Sequence, residues 1–222
     1  QVYDFGKQDT LYYFVMEYVD GYSVSDWIYR KGVISEQNSL ILAEIVAKAL
    51  DYAWNKARVI HCDIKPDNIM IDSDGTIKVA DLGLAKGVRT MAEKASEDDS
   101  DIVMGTPNYI SPEQARGDSD IDCRADMYSL GAMLYHMMTG VMPFSEFKPF
   151  DAMDEQVKGH IKDPCEINPE ISMPAGFFIE KLMAKNKDNR YTGWPDVILD
   201  IKKIFEQKLP AVLPDNADST VK

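Results

Sequence analysis

The sequence predicts an α+β fold that is mainly α, with a small β-hairpin sheet. Three kinds of stretch carry that expectation. Thr10 to Val19 reads Thr-Leu-Tyr-Tyr-Phe-Val-Met-Glu-Tyr-Val, a run of β-branched and aromatic residues that suits a strand. Ile69-Met70-Ile71 enters the turn sequence Asp72-Ser73-Asp74-Gly75, and Thr76-Ile77-Lys78-Val79 follows, which reads as a hairpin. Over most of the remaining chain, apolar residues recur at helical spacing.

In chain order, Gly21 breaks the first strand, and Ser23-Val24-Ser25-Asp26-Trp27-Ile28 opens a short helix with Ser23 as N-cap. Ser35 opens a long helix to about Lys56, whose apolar face reads Leu40, Ile41, Ile45, Ala49, Leu50 and Ala53. His61 to Met70 is a loop that Pro66 keeps from becoming helical. Gly87 to Met104 differs in composition from its surroundings, and within it Ala92 to Asp101 reads as a solvated acidic loop. Met127 to Thr139 is apolar on nearly all faces, the pattern of a buried helix, and Gly140 ends it. Asp151 to Lys162 is a polar helix candidate, and 164–174 a proline-punctuated linker. Ala175 to Lys185 is amphipathic, with Phe178, Leu182 and Met183 on one face. A last helix from about Trp194 to Lys208 carries Pro195 in its first turn and turns Val197, Ile201 and Ile204 inward.

With 222 residues the chain can bury a substantial core. A formal net charge of −13 argues against nucleic acid and anionic membrane surfaces as partners. Three cysteines, Cys62, Cys123 and Cys165, are odd in number and lack metal-ligand spacing, which favours a reducing, cytoplasmic setting. The longest apolar run, Met127 to Met138, is too short to span a bilayer, and no signal peptide is visible at the start.

Chemistry concentrates in His61-Cys62-Asp63-Ile64-Lys65-Pro66-Asp67-Asn68 and in Asp81-Leu82-Gly83. The hairpin brings these two segments to one mouth. Asp63 can accept a proton from a hydroxyl, Asn68 and Asp81 can hold Mg²⁺ through oxygen, and Lys65 can neutralise a phosphoryl group.

The stretch resembles the catalytic loop of protein kinases, His-Arg-Asp followed at fixed spacing by Asn, with Asp-Leu-Gly in place of Asp-Phe-Gly. Small-molecule phosphotransferases carry a similar loop, and the downstream motifs decide between them. Gly105-Thr106-Pro107-Asn108-Tyr109-Ile110-Ser111-Pro112-Glu113 resembles the kinase substrate-docking loop, Asp126 to Gly131 the start of the buried central helix, and Asp188-Asn189-Arg190 the late Arg that pairs with that Glu. The wording of 111–117 is similar to bacterial eukaryote-like Ser/Thr kinases, whose catalytic domains are often tethered to membranes from outside the domain. Lys65 is the Ser/Thr mark, since tyrosine kinases lack it.

That resemblance implies a kinase-like large, C-terminal lobe at 20–208, a remnant of the small lobe and hinge at 1–19, and a flexible tail at 209–222. It implies ATP and Mg²⁺ as cofactors and a protein substrate with Ser or Thr. It places Asp63, Lys65, Asn68 and Thr106 in catalysis, with Asn68 and Asp81 on the metal. It places Met16, the backbones of Glu17 and Val19, Ser23, Met70 and Asp81 around the nucleotide. For Ser23 the helix cap is the equal alternative. Glu113, Asp126 and Arg190 are the structural supports, Asp126 by holding the catalytic-loop backbone. Gln1 to Asp9 cannot supply a Gly-rich loop, its strand lysine or a helix glutamate, so the chain is expected to begin inside a domain and to be inactive alone, with a strand edge at Leu11 to Met16 open to homodimer formation. Cys62 departs from the family's usual Arg, and a thiol cannot gather an activating phosphate. The rival reading is a pseudokinase scaffold, which needs a broken catalytic position; Asp63, Lys65, Asn68 and Asp81 are intact.

Overall fold

The computed structural model describes residues 2–9, 11–81 and 107–208. The expectations for Leu82, for the acidic stretch 87–104, for Thr106 and for the tail 209–222 concern positions outside the described residues.

The chain opens with an antiparallel hairpin, β1 (Val2–Gln8) and β2 (Leu11–Met16), paired from Val2↔Met16 to Gln8↔Leu11 with a register shift between Val2 and Asp4. The sequence reading found β2 and missed β1, whose Val2, Tyr3 and Phe5 are broken up by Asp4, Gly6 and Lys7. A second sheet of three short antiparallel strands, in the order β3 (Gly21–Ser23), β4 (Ile69–Asp72), β5 (Ile77–Val79), lies against the helical body. Gly21 pairs with Asp72, and a Cβ there would overlap the carbonyl oxygen of Ile71, so only glycine lets β3 lie this close. The turn 72–75 joins β4 to β5 as its composition predicts.

Ser23 caps α1 (Val24–Lys31) with a full capping box: its hydroxyl accepts from Asp26 N and donates to the Asp26 carboxylate. Ser35 caps α2 (Glu36–Ala57). The buried stripe of α2 is Ser39, Leu40, Leu42, Ala43, Val46, Ala47 and Leu50, while Ile41, Ile45 and Ala49 face outward. The i, i+4 row 41–45–49 is as regular as the true one. Packing against the helices Arg124–Thr139 and Trp194–Lys208, which periodicity does not see, selects the neighbouring row. Glu36, in the first turn, is buried, and its carboxylate accepts the Ser172 N–H and hydroxyl at 2.8 and 2.9 Å.

Pro66 does not exclude helix from the loop. It starts a single 3₁₀ turn, Pro66–Asn68, because its fixed φ suits a first helical position where no N–H is needed. After α3 (Pro112–Arg116), helix α4 (Arg124–Thr139) is buried along almost all of its length and is the axis of the core. Around it stand α2, α5 (Pro149–Lys158), α6 (Pro164–Ile167), α7 (Met173–Leu182) and α8 (Trp194–Lys208). The polar helix therefore begins earlier and ends sooner than 151–162, with Pro149 in its first turn and Gly159 at its end. The supposed linker 164–174 contains α6 and the start of α7, because Pro164 and Pro174 both take first-turn positions. Val197, Ile201 and Ile204 of α8 are buried as their spacing predicts. No helix among the described residues is long and apolar enough to cross a membrane.

Candidate active site

The loop at 61–68 takes its shape from α4. Asp126, in the first turn of α4 and buried, accepts the backbone N–H of His61 on Oδ2 and of Cys62 on Oδ1, both at 2.7 Å. Two short bonds to one carboxylate hold consecutive peptides side by side. Cys62 between them has φ 65°, the left-handed region that non-glycine residues seldom enter. Such strain costs roughly 1–3 kcal/mol and persists only where the surroundings over-determine it. His61 Nδ1 accepts the Asp63 N–H at 3.2 Å, which leaves the ring proton on Nε2, where it is donated to the Ala80 carbonyl at 2.8 Å. The loop is thereby tied to the residue just past β5.

Asp63, Lys65 and Asn68 are brought together. The two amide protons of Asn68 go to the Asp63 carbonyl at 2.8 Å and to Asp63 Oδ2 at 2.9 Å. Lys65 Nζ lies 3.0 Å from the same Oδ2. Among the described residues no donor reaches Asp63 Oδ1, and about a third of that side chain, 34%, is exposed. With the protons of Asn68 committed, its Oδ1 has no donor among the described residues. The Ala80 N–H donates to the Asn68 carbonyl at 2.8 Å, so Asp81 emerges one residue beyond a tie to Asn68. An amide oxygen and a carboxylate on adjoining backbone make a hard-oxygen pair that suits Mg²⁺, which commonly takes one or two protein oxygens and completes its shell with phosphate and water.

The nucleotide-side residues are more scattered. Met16 ends β2 and is exposed. The Glu17 carboxylate meets Lys78 Nζ at 2.7 Å, and the same ammonium meets Asp72 at 2.5 Å. The hydrogen bond to Lys78 holds both carboxyls below their ordinary range, and the two carboxylates raise the lysine in turn. The Val19 carbonyl accepts the Gly21 N–H at 3.0 Å. Ser23 spends its hydroxyl proton on Asp26, so the helix cap is the observed role. Met70 is half-buried in β4, paired with Ser23 and Lys78.

Glu113 and Arg190 form a bidentate pair at 2.6 and 2.9 Å, with side chains 2% and 0% exposed. Beside Glu113 stands a residue the sequence reading passed over. Gln114, buried, donates through Nε2 to the Cys62 carbonyl at 2.8 Å. Lys78 was passed over as well. The Ser-x-x-Gln spacing of 111–114 does announce a capping box, and the box forms. Nothing local announces contacts to residues 52 or 61 positions away.

A helix-rich body with small antiparallel sheets, carrying this loop at one end, is compatible with the protein kinase fold. Residues 1–208 match the protein kinase domain family, and the chain belongs to that family. Bacterial serine/threonine-protein kinases are among its relatives. It is 38% identical over 203 residues to a probable serine/threonine-protein kinase of Clostridium perfringens, covering 91% of this chain and 29% of that protein. It is 36% identical over 221 residues to serine/threonine-protein kinase PknB of Mycobacterium leprae, covering 96% and 35%. With PknB of Mycobacterium tuberculosis the identity is 34% over 221 residues, again covering 96% and 35%. The chain thus spans about a third of the length of these curated relatives.

Proposed function

We propose that this domain transfers the γ-phosphoryl group of ATP to a Ser or Thr hydroxyl of a protein substrate. The observation that carries the reading is the Asp63 carboxylate, with one oxygen held by Lys65 and Asn68 and the other without a donor among the described residues. That second oxygen accepts the substrate hydroxyl proton as the alcohol oxygen bonds to phosphorus and the bond to the β-γ bridging oxygen breaks. Lys65 Nζ, 3.0 Å from the other oxygen, Oδ2, contributes its charge to the phosphoryl group in transfer. Asn68 Oδ1 and the Asp81 carboxylate are the atoms that would hold Mg²⁺, which when bound supplies charge neutralisation on the phosphates. Thr106, the remaining candidate at the substrate hydroxyl, rests on the resemblance alone.

Residues 1–19 serve as the end of the small lobe and the hinge, and residues 20–208 as the large lobe. Met16, the backbones of Glu17 and Val19, and Met70 border the adenine. The Glu17–Lys78–Asp72 bridge supports this reading, since it ties the segment after β2 to the sheet that delivers Asp81. The three unbridged thiols support a cytoplasmic setting.

In the full-length protein, Asp63→Asn keeps the loop's shape and removes the acceptor. Turnover on a protein substrate should fall about 10²–10⁴-fold with ATP binding retained. A variant that turns over like the parent would overturn the assignment.

A further inference from the structure

We infer that Gln114 is a positioning residue for Asp63, acting through the Cys62–Asp63 peptide; this deepens the kinase reading above and rests on it. The peptide that immediately precedes the Asp63 Cα is held at both ends. Its N–H is donated to His61 Nδ1 at 3.2 Å and its carbonyl accepts from Gln114 Nε2 at 2.8 Å. The preceding peptide is held by Asp126. Between the two sits Cys62 at φ 65°. A left-handed non-glycine residue relaxes most readily by rotating one of its flanking peptides. Asp126 blocks rotation on the N-terminal side. On the C-terminal side the Gln114 and His61 bonds do so. Rotation there would change φ of Asp63 and swing its carboxylate away from Lys65 and Asn68.

The amide orientation of Gln114 follows from its surroundings. Oε1 accepts from Ser111 Oγ at 2.9 Å and from Ser111 N at 3.3 Å, and the backbone N of Gln114 donates back to Ser111 Oγ at 3.3 Å. Oε1 is thus committed to the cap, and the end facing Cys62 is the donor. The side chain is 4% exposed, so water does not replace it readily. Its neighbour Glu113 is locked to Arg190 at 2.6 Å, which anchors the short helix that carries Gln114. The segment that resembles the substrate-docking loop is therefore bonded to the backbone of the base.

The test uses two variants of the full-length protein. Gln114→Met keeps length and bulk without a donor. Gln114→Glu keeps the acceptor for Ser111 and turns a carboxylate oxygen toward the Cys62 carbonyl. Turnover is expressed per Mg-ATP site counted by calorimetry, so that unfolded molecules drop out. In both variants kcat should fall about 10–100-fold, the loss typical of a slightly misplaced reacting group, with KM for ATP unchanged within about twofold. Amide exchange at Asp63 should speed up while exchange at Ala80 stays as in the parent. Unchanged kcat per site in Gln114→Met, or loss in one variant only, overturns the inference. Faster exchange throughout α3 and α4 as well would mean a general structural role and also overturns it. A parent that binds Mg-ATP yet transfers no phosphoryl group refutes the kinase reading itself, and the inference falls with it. A Gln114 defect that is absent while Asp63→Asn is inactive refutes only the inference.

Discussion

Breaking the Glu113–Arg190 pair should cost this domain more than breaking any other ion pair among the described residues, because both of its side chains are buried. Arg190 uses its whole fork: Nη1 and Nη2 on the two Glu113 oxygens, Nε on the Ala184 carbonyl at 2.8 Å, and Nη1 again on the Arg124 carbonyl at 2.8 Å. Its guanidinium also lies 4.9 Å from the Tyr128 ring centroid. Arg190→Met replaces the side chain by one of similar reach and strands a carboxylate that is 2% exposed. Breaking a buried pair from one side costs about 3–5 kcal/mol. At about 2–4 °C per kcal/mol for a domain of this size, the melting temperature should drop by roughly 6–20 °C. Glu113→Gln should cost less, about 1.5–3 kcal/mol, because the guanidinium keeps its carbonyl partners and Gln still accepts one bond. The double variant should then be less destabilised than the sum of the two singles, since no charge is left alone. Scanning calorimetry on the parent and three variants measures all of this. An Arg190→Met protein within 1 kcal/mol of the parent, about 4 °C or less, would refute the argument that the pair is desolvated.

Asp126→Asn leaves one oxygen for two N–H donors and sets an NH₂ against the other, so kcat should fall about 10–100-fold with a stability loss of about 1–3 kcal/mol, read by turnover and urea unfolding. Gly131→Ala places a methyl group 2.7 Å from Leu182 Cβ and 2.9 Å from Met183 Cγ, and the overpacking of α4 on α7 should cost about 1–3 kcal/mol in urea unfolding. Burial, with the nearby Arg190 charge, lowers the Lys185 ammonium to about 8. The unfolded chain therefore holds a proton there that the folded one has lost between about pH 8 and 10.5, and this group adds stability as pH rises through that window. Lys185→Met should remove that gain, visible as a smaller difference between urea midpoints at pH 8 and pH 10.

What the sequence disclosed and what it withheld divide along the range of the interaction. Ser23, Ser35 and the turn 72–75 act on backbone within four residues of themselves, so their spacing carries their meaning, and the structure finds each in place. The outward turn of Ile41 and Ile45 depends on where α4 and α8 lie, and a helical pattern with two equally apolar rows contains no such information. Prolines misled in one direction only. Pro66, Pro164 and Pro174 read as breaks in the sequence, yet each stands in the first turn of a helix, where a missing N–H costs nothing. At the site the same division holds. Asp63, Lys65 and Asn68 lie within six residues, and one loop suffices to bring them together. What aims them comes from Asp126 and Gln114, more than fifty residues on, through bonds to main-chain atoms. Main-chain partners leave no trace in the chemistry of the residue that receives them, since every residue but proline has the same N–H and C=O. Cys62 shows the consequence. Its peptide groups are held from opposite sides by Asp126 and Gln114 at a φ of 65°, and those two bonds are made to atoms that every residue but proline carries.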